Sequence, residues 1–358
     1  MVADSRIEAA RQALQADAIA GCLLGCAVGD AIGLPYEGLS TKRAMRFARL
    51  PLRHRFVLGR GMVSDDTDHT IFVAQALIRS KGDVVLFRKV LAWRLRLWLL
   101  CLPAGIGWAT LKGVIRLWLG FSRSGVFSAG NGPSMRSAII GAAFATDAAA
   151  RRSHVEASTL LTHTDPKAFA GALSVAEVAA RIVEGAWAKK PATENFIAML
   201  ASLSPEPGWS AAVNEMRDAC EAQDPIALAR DRFGSKNGVS GYVLHSVPFA
   251  LVAWYHHFGD YRATIESITQ AGGDVDTVAA IAGALAGATV GARGIPPEWV
   301  NDVADWPHGT AYIRALSTGL ATADSQTPTY FSAWLFPRGI LFTLLVLLHG
   351  FRRLLPPY

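Results

Sequence analysis

Residues Gly272–Gly291 read GGDVDTVAAIAGALAGATVG, and the fold turns on how this stretch is taken. Beyond Thr277 only Thr289 interrupts a run of Ala, Gly, Val, Ile and Leu. The run is too long for a strand and lacks period-two alternation, so 275–290 reads as a buried helix. Small residues let helix backbones approach closely, which points to a tightly packed central bundle. A membrane bundle would use the same residues, but Asp30, Asp147 and the aspartate-rich helix starts argue against it. The opening Asp274-Val275-Asp276-Thr277 leaves two readings open. The carboxylates either cap the helix, answering its orphan amides and dipole, or they bind something.

Outward from this helix, strand signals are scarce and helical ones abundant. Candidate helices include 6–29, 67–80, 84–101, 109–119, 134–149, 166–187, 240–257 and 308–321, separated by breaks such as Pro103-Ala104-Gly105 and Asp165-Pro166. The expected fold class is all-α, one compact domain over residues 1–324, with 325–358 as an appendage that the body can lose. That tail carries an apolar run, Gly339–Leu348, too short to span a bilayer. It can lie in a membrane interface, dock on the body or mediate self-association.

Composition narrows the function classes. The 358 residues are 51% hydrophobic and 18% charged, which excludes a disordered chain. A net charge of +6 permits attraction to polyanions, nucleotides or anionic lipid, but no nucleic-acid motif accompanies it. Cys22, Cys26, Cys101 and Cys220 form no disulfide framework. The amphipathic N-terminus lacks a signal-peptide core, so a cytoplasmic location is expected.

A second acidic cluster lies in GMVSDDTDHTIFVAQALI, Gly61–Ile78. Ser64, Asp65, Asp66 and Asp68 bring more negative charge than capping requires. Adjacent carboxylates repel unless a cation neutralises them. Ser64-Asp65-Asp66 and Asp274-x-Asp276-Thr277 therefore suit two halves of an oxygen-only site for hard cations, Mg²⁺ or Mn²⁺. Two separate helix caps are the alternative. SAGNGPSMRSAIIGAAF, Ser128–Phe144, adds a glycine-bearing loop entering a helix, either a phosphate or ribose cradle or a plain turn. PAGIGWAT, Pro103–Thr110, superficially suggests a dinucleotide fingerprint, but no βαβ unit surrounds it. His163 and His245 read as capping or core histidines.

Taken in order, GCLLGCAVGDAIGLPYE, VSDDTDHT, PAGIGWAT, SAGNGPSMRSAIIGAAF, LTHTDPKAFAGALSVAEVAARI and GGDVDTVAAIAGALAGATVGARGIP resemble the ADP-ribosylglycohydrolase family over about residues 18–306. That family includes dinitrogenase-reductase-activating glycohydrolases and ADP-ribosylarginine and ADP-ribosylserine hydrolases. The resemblance implies an orthogonal all-α bundle and a binuclear Mg²⁺ or Mn²⁺ centre. It implies Ser64, Asp65, Asp66, Asp274, Asp276 and Thr277 as metal ligands, with Glu37 near the metals on a mobile loop. Glu37, Asp65 and Asp66 are then the candidates for catalysis. Asn131, Gly132, Ser134, Met135 and Arg136 would form the ADP-ribose cradle, with His163 beside the ligand and Val239 near the adenosine. The implied substrate is an ADP-ribosylated protein or small conjugate. A non-catalytic relative of the same fold, or a two-metal pyrophosphate hydrolase, are the rival readings. Asp68 and His69 depart from the family pattern, and the apolar tail lies outside it.

Overall fold

The computed structural model describes residues 2–56, 58–322, 327–330 and 332–354, with side chains from residue 8 onward. The elements in chain order begin with α1 (Val2–Gly33), α2 (Thr41–Phe47), α3 (Asp65–Ser80), α4 (Val84–Leu99) and α5 (Trp108–Trp118). They continue with α6 (Ala138–Ala143), α7 (Ala148–Thr159), α8 (Pro166–Val183), α9 (Thr193–Ser202), α10 (Pro207–Glu221) and α11 (Pro225–Phe233). The last are α12 (Val243–His256), α13 (Tyr261–Ala271), α14 (Val275–Val290), α15 (Pro297–Asn301), α16 (Thr310–Ala321) and α17 (Leu335–Arg352). Among the described residues no strand forms, and extended pairing is limited to isolated bridges such as Leu39–Gly273 and Val239–Gly273. The all-α expectation therefore holds.

The centre of the bundle is the antiparallel pair α1 and α14. Gly21, Gly25 and Gly29 of α1 face Gly287, Gly283 and Ala279 of α14, one turn at a time. A Cβ added at Gly25 would stand 2.1 Å from the Gly283 carbonyl oxygen, and one at Gly21 2.0 Å from that of Gly287. The glycines are there because the two backbones touch. Tyr261 of α13 crosses the same seam and donates its hydroxyl to the Gly25 carbonyl at 2.7 Å. Around the pair lie α8, α12 and α13, whose apolar faces complete one continuous core.

Three local expectations are revised. The helix expected over 134–149 is broken: Ser134–Arg136 forms a 3-10 turn, α6 stops at Phe144, and Asp147 caps α7 by accepting from the Ala150 amide at 2.9 Å. Two short basic-rich helices, α2 and α11, have too few residues for periodicity to show. The third concerns the tail. The run Gly339–Leu348 sits inside a longer helical segment, Ser332–Arg352, of 21 residues, within which an 18-residue window has a mean hydropathy of 1.6, long and apolar enough to cross a bilayer by length and composition. In this fold α17 instead lies on the body, with Arg338 buried and in ion pairs to Asp305 and Asp68. The boundary at residue 324 thus separates chain segments that pack against each other.

Candidate active site

Because α1 and α14 run antiparallel in backbone contact, the C-terminal end of α1 meets the N-terminal end of α14. A Cβ at Gly33 would fall 2.7 Å from the Asp276 Cα. Fully buried Asp30, one turn earlier, accepts from the Ser64 amide at 2.9 Å, the Thr67 amide at 3.2 Å and the Thr67 hydroxyl. Asp30 thereby holds the first turn of α3 beside α14. In the sequence Asp30 argues only against a membrane bundle. A lone carboxylate inside GCAVGDAIG was the available signal.

This arrangement bears on the two readings of the acidic clusters. At α3 the Ser64 side chain is the cap, accepting from the Asp66 amide at 3.3 Å, and Asp30 answers further amides. Asp65 and Asp66 are therefore spare to capping. At α14, Asp274 occupies the cap position, yet its side chain makes no cap bond. It accepts instead from Asn131 Nδ2 at 2.7 Å. Thr277 and Ser64 both donate to Asp66 Oδ2, at 3.3 and 3.0 Å, which joins the two clusters across 211 residues. Asp66 Oδ1 and Asp276 Oδ1 are buried without a hydrogen-bond partner. Oxygens of Glu37, Asp274 and Asp276 lie within 4.8 Å of one another.

The electrostatics follow from that crowding. Burial, then Asp65 and Asp30, pushes Asp66 well above the usual carboxylate range. Burial, then Glu37 and Asp274, does the same to Asp276, and burial with Asp30 and Glu37 to Asp65. Glu37 and Asp274 are raised as well, each first by desolvation. Orphaned acceptors and mutually repelling carboxyls need positive charge, and a divalent cation with oxygen ligands fits this set.

The backbone fixes the loops that carry these groups. Gly273 adopts φ 87°, and any Cβ there would strike the Val239 backbone at 2.0 Å. The Asp274 amide donates to the Val239 carbonyl at 2.7 Å, and Gly38 donates to the Gly273 carbonyl at 2.7 Å. The loop bearing Glu37 and the loop bearing Asp274 are thus laced together.

Above the acids opens a cavity of about 420 Å³. Glu37, Ser64, Asp65, Asp274, Asp276 and Thr277 line one side; Gly130, Asn131, Gly132, Met135 and His163 line another. Gly130 and Gly132 flank the His163 ring, so side chains at either position would press on it. Burial, then Arg136, holds His163 at about 3, and it is neutral. The loop amides of Asn131 and Ser134 are bonded internally, to the Gly241 and Asn131 carbonyls, so the loop offers chiefly room and the Asn131 side chain.

Some expected residues lie outside the cavity wall. Arg136 is fully buried, donating to His69 Nδ1, Ser158 and Thr162. Ser134 is buried beside it, and Val239 contributes backbone under Asp274. Asp66 lies beneath the floor at 1% exposure. The unexplained Asp68 turns away from the acids. It accepts from Trp98 Nε1 at 3.2 Å and pairs with His308 at 2.7 Å and Arg338 at 3.5 Å. Burial would raise its carboxyl, but Arg338 and His308 outweigh burial and hold it low. His69 receives Arg136, and desolvation with that guanidinium keeps it neutral. The tail also enters: Phe342 and Val346 of α17 form an apolar wall with Leu34 and Trp108.

Comparison with known proteins agrees with this picture. The family model described as ADP-ribosylglycohydrolase matches residues 11–328. An uncharacterised protein of Archaeoglobus fulgidus is 30% identical over 311 residues, covering 84% of this chain and 94% of that protein. The ADP-ribosyl-[dinitrogen reductase] glycohydrolase of Rhodospirillum rubrum is 26% identical, covering 80% and 90%. The ADP-ribosylarginine hydrolase Tri1 of Pseudomonas putida is 29% identical, covering 80% and 74%. A solved structure titled ADP-ribosylglycohydrolase-related protein complex shares the fold with a TM-score of 0.64 at 23% identity, over 86% of this chain and 98% of that one. Two acidic clusters meet at a glycine-lined cavity in an all-α bundle, and the family model that matches residues 11–328 places this chain in the ADP-ribosylglycohydrolase family.

Proposed function

We propose that the chain is a metal-dependent hydrolase that cleaves the glycosidic bond at the anomeric carbon of an ADP-ribosyl group, releasing ADP-ribose from a protein side chain or small conjugate. The observation that carries this reading is the meeting of Ser64, Asp65 and Asp66 with Asp274, Asp276 and Thr277, leaving Asp66 Oδ1 and Asp276 Oδ1 unpartnered. Those six residues would hold two Mg²⁺ or Mn²⁺ ions. Ions held there would supply Lewis acidity toward ribose hydroxyls and a water of lowered pKa.

The chain's own groups supply the rest. Glu37 stands at the rim of the acidic cluster, its carboxyl raised first by desolvation and then by Asp274, and is the group placed to take a proton from water. The remaining carboxylates favour the positive charge that builds on the anomeric carbon as the bond breaks. Asn131 of the glycine loop, oriented by Asp274, and neutral His163 of the α7–α8 connection line the cavity in which the ligand would sit. The apolar wall of Leu34, Trp108, Phe342 and Val346 excludes water from one end.

The test is incubation of ADP-ribosylated arginine, serine and small conjugates with Mg²⁺ or Mn²⁺, with products separated by chromatography. Free ADP-ribose is the expected product. AMP would instead indicate pyrophosphate cleavage, and no turnover with tight ADP-ribose binding would indicate a non-catalytic relative.

A further inference from the structure

Acidic residues are unevenly spread along this chain. Residues 38–64, 84–146 and 325–358 contain no Asp or Glu at all, yet hold 18 of the 35 Lys and Arg. The remaining residues carry all 29 acidic groups. Of the eighteen basic side chains, only Arg136 and Arg338 are buried.

The fold makes these three separated segments neighbours. Thr343 of α17 donates to the Leu102 carbonyl at 3.2 Å, and Gly339 lies against the Cys101 carbonyl. Phe56 packs on Phe342 and His349 at 5.9 and 5.5 Å between ring centres. Arg43 donates to the Arg353 carbonyl. Trp118 of α5 is bonded to α4 through the Arg96 carbonyl.

The same segments also hold the exposed apolar side chains. All but four of the large hydrophobic residues exposed on the described surface belong to them. Trp93 is 56% exposed, Trp118 42%, Leu344 57% and Leu348 66%. Scattered exposed leucines need no explanation, but their confinement to three neighbouring segments that carry no acidic residue of their own does.

We propose that this face docks on an anionic lipid bilayer, with α17 lying in the interface and its buried side kept on the body. Apolar side chains gain by entering the acyl boundary, Trp favours the headgroup level, and surrounding Lys and Arg are drawn to anionic headgroups. A second copy of the chain would bring a like-charged face, which repels. A nucleic acid offers no apolar phase for Leu344 and Leu348. Spanning would strip Arg338 from Asp305 and Asp68 and put its charge in hydrocarbon. Trp108, 68% exposed, lines the cavity described above, so the docked face borders the cavity mouth.

The test is flotation of the full-length protein with vesicles of phosphatidylcholine alone or with 30% phosphatidylglycerol. Binding to the anionic vesicles is expected to be about tenfold stronger or more, and weaker in high salt. Leu344→Glu with Leu348→Glu, and separately Arg46→Glu with Arg49→Glu, are each expected to lower it by about tenfold or more. Their circular dichroism and thermal midpoint should match the parent, because all four side chains are exposed. None of the four lines the cavity, so the outcome is independent of the reaction. The proposal is overturned by absence of flotation, or by variants that float as well as the parent. It is equally overturned by resistance to alkaline carbonate, by self-association that the leucine variant abolishes in place of vesicle binding, or by a nucleic acid that displaces the vesicles.

Discussion

Asp305 and Arg338 grip the Val63 peptide from both sides. Asp305 Oδ2 accepts from the Val63 amide at 3.0 Å, Arg338 donates to the Val63 carbonyl, and the two side chains pair at 2.7 Å. Val63 immediately precedes Ser64, so a residue of α17, beyond the segment that matches the family model, steadies the first half of the acidic site. Removing one partner of a buried pair leaves an uncompensated charge, which costs about 3–5 kcal/mol. Arg338→Gln is therefore expected to lower stability by that order in chemical denaturation, with Arg338→Lys recovering part of it. Truncation after residue 324 is expected to destabilise the body as well. A truncated protein with the parent's unfolding midpoint would restore the tail to the status of a dispensable appendage.

Asp274→Asn separates ligation from capping. Asn keeps the shape and can still accept a hydrogen bond, but it lacks the charge that a dication requires. The Asp274 side chain makes no cap bond, so the metal-free protein should lose little stability. Its thermal midpoint is expected to stay level or rise as repulsion is relieved. Hydrolysis at limiting metal should fall by orders of magnitude. Thermal denaturation of the metal-free protein reads the first effect, product formation the second, and calorimetric metal titration the affinity behind it; unchanged affinity and turnover would remove Asp274 from the ligand set.

The pH dependence of the metal-free protein should run against the common pattern. Burial pushes Asp30 up from 3.8 to about 7, and burial with neighbouring carboxylates holds Asp66 and Asp276 well above the usual range. A raised carboxyl means the folded state keeps protons that the unfolded chain has released, so stability falls as pH rises through that window. The thermal midpoint without metal is expected to be higher near pH 5 than at pH 7.5, and saturating Mg²⁺ should flatten or invert the trend. A metal-free midpoint that climbs steadily across this range would contradict the crowding described above.

The α1–α14 seam gives a sharp mutational contrast. Gly25→Ala places a methyl 2.1 Å from a backbone oxygen that cannot swing aside. Overpacking costs about 1–3 kcal/mol where side chains can yield, and more where backbone must move. Gly25→Ala is expected at or beyond the upper end, read as a lowered denaturant midpoint. Gly350→Ala in α17 meets nothing within 4 Å and should be neutral or slightly stabilising. Equal midpoints for the two variants would mean that the seam relaxes.

Much of this architecture was legible in the residues. Gly and Ala at helical spacing in 275–290 foretold close helix contact, and the two acid–hydroxyl clusters foretold a common site. Sequence order sets Arg136 in the glycine loop but does not show its direction: the 3-10 turn at Ser134–Arg136 points it inward to Ser158 and Thr162. Asp30 escaped because its role depends on amides 34 and 37 residues away. The tail escaped for a similar reason: one arginine in an apolar stretch does not announce that its partners are Asp68 and Asp305.

The α1–α14 seam also sets a clock. α1 leaves the ribosome well before α14, the helix that fills its glycine groove and starts only at Val275. At about 5–20 residues per second, the groove waits roughly ten to fifty seconds for its partner. The two halves of the acidic site cannot join in that interval, because Asp30, Glu37 and Ser64–Asp66 are made long before Asp274 and Thr277. The nascent chain therefore passes through a long stage in which its most apolar helix faces have no internal match, and its folding yield should be sensitive to holding chaperones and to translation speed.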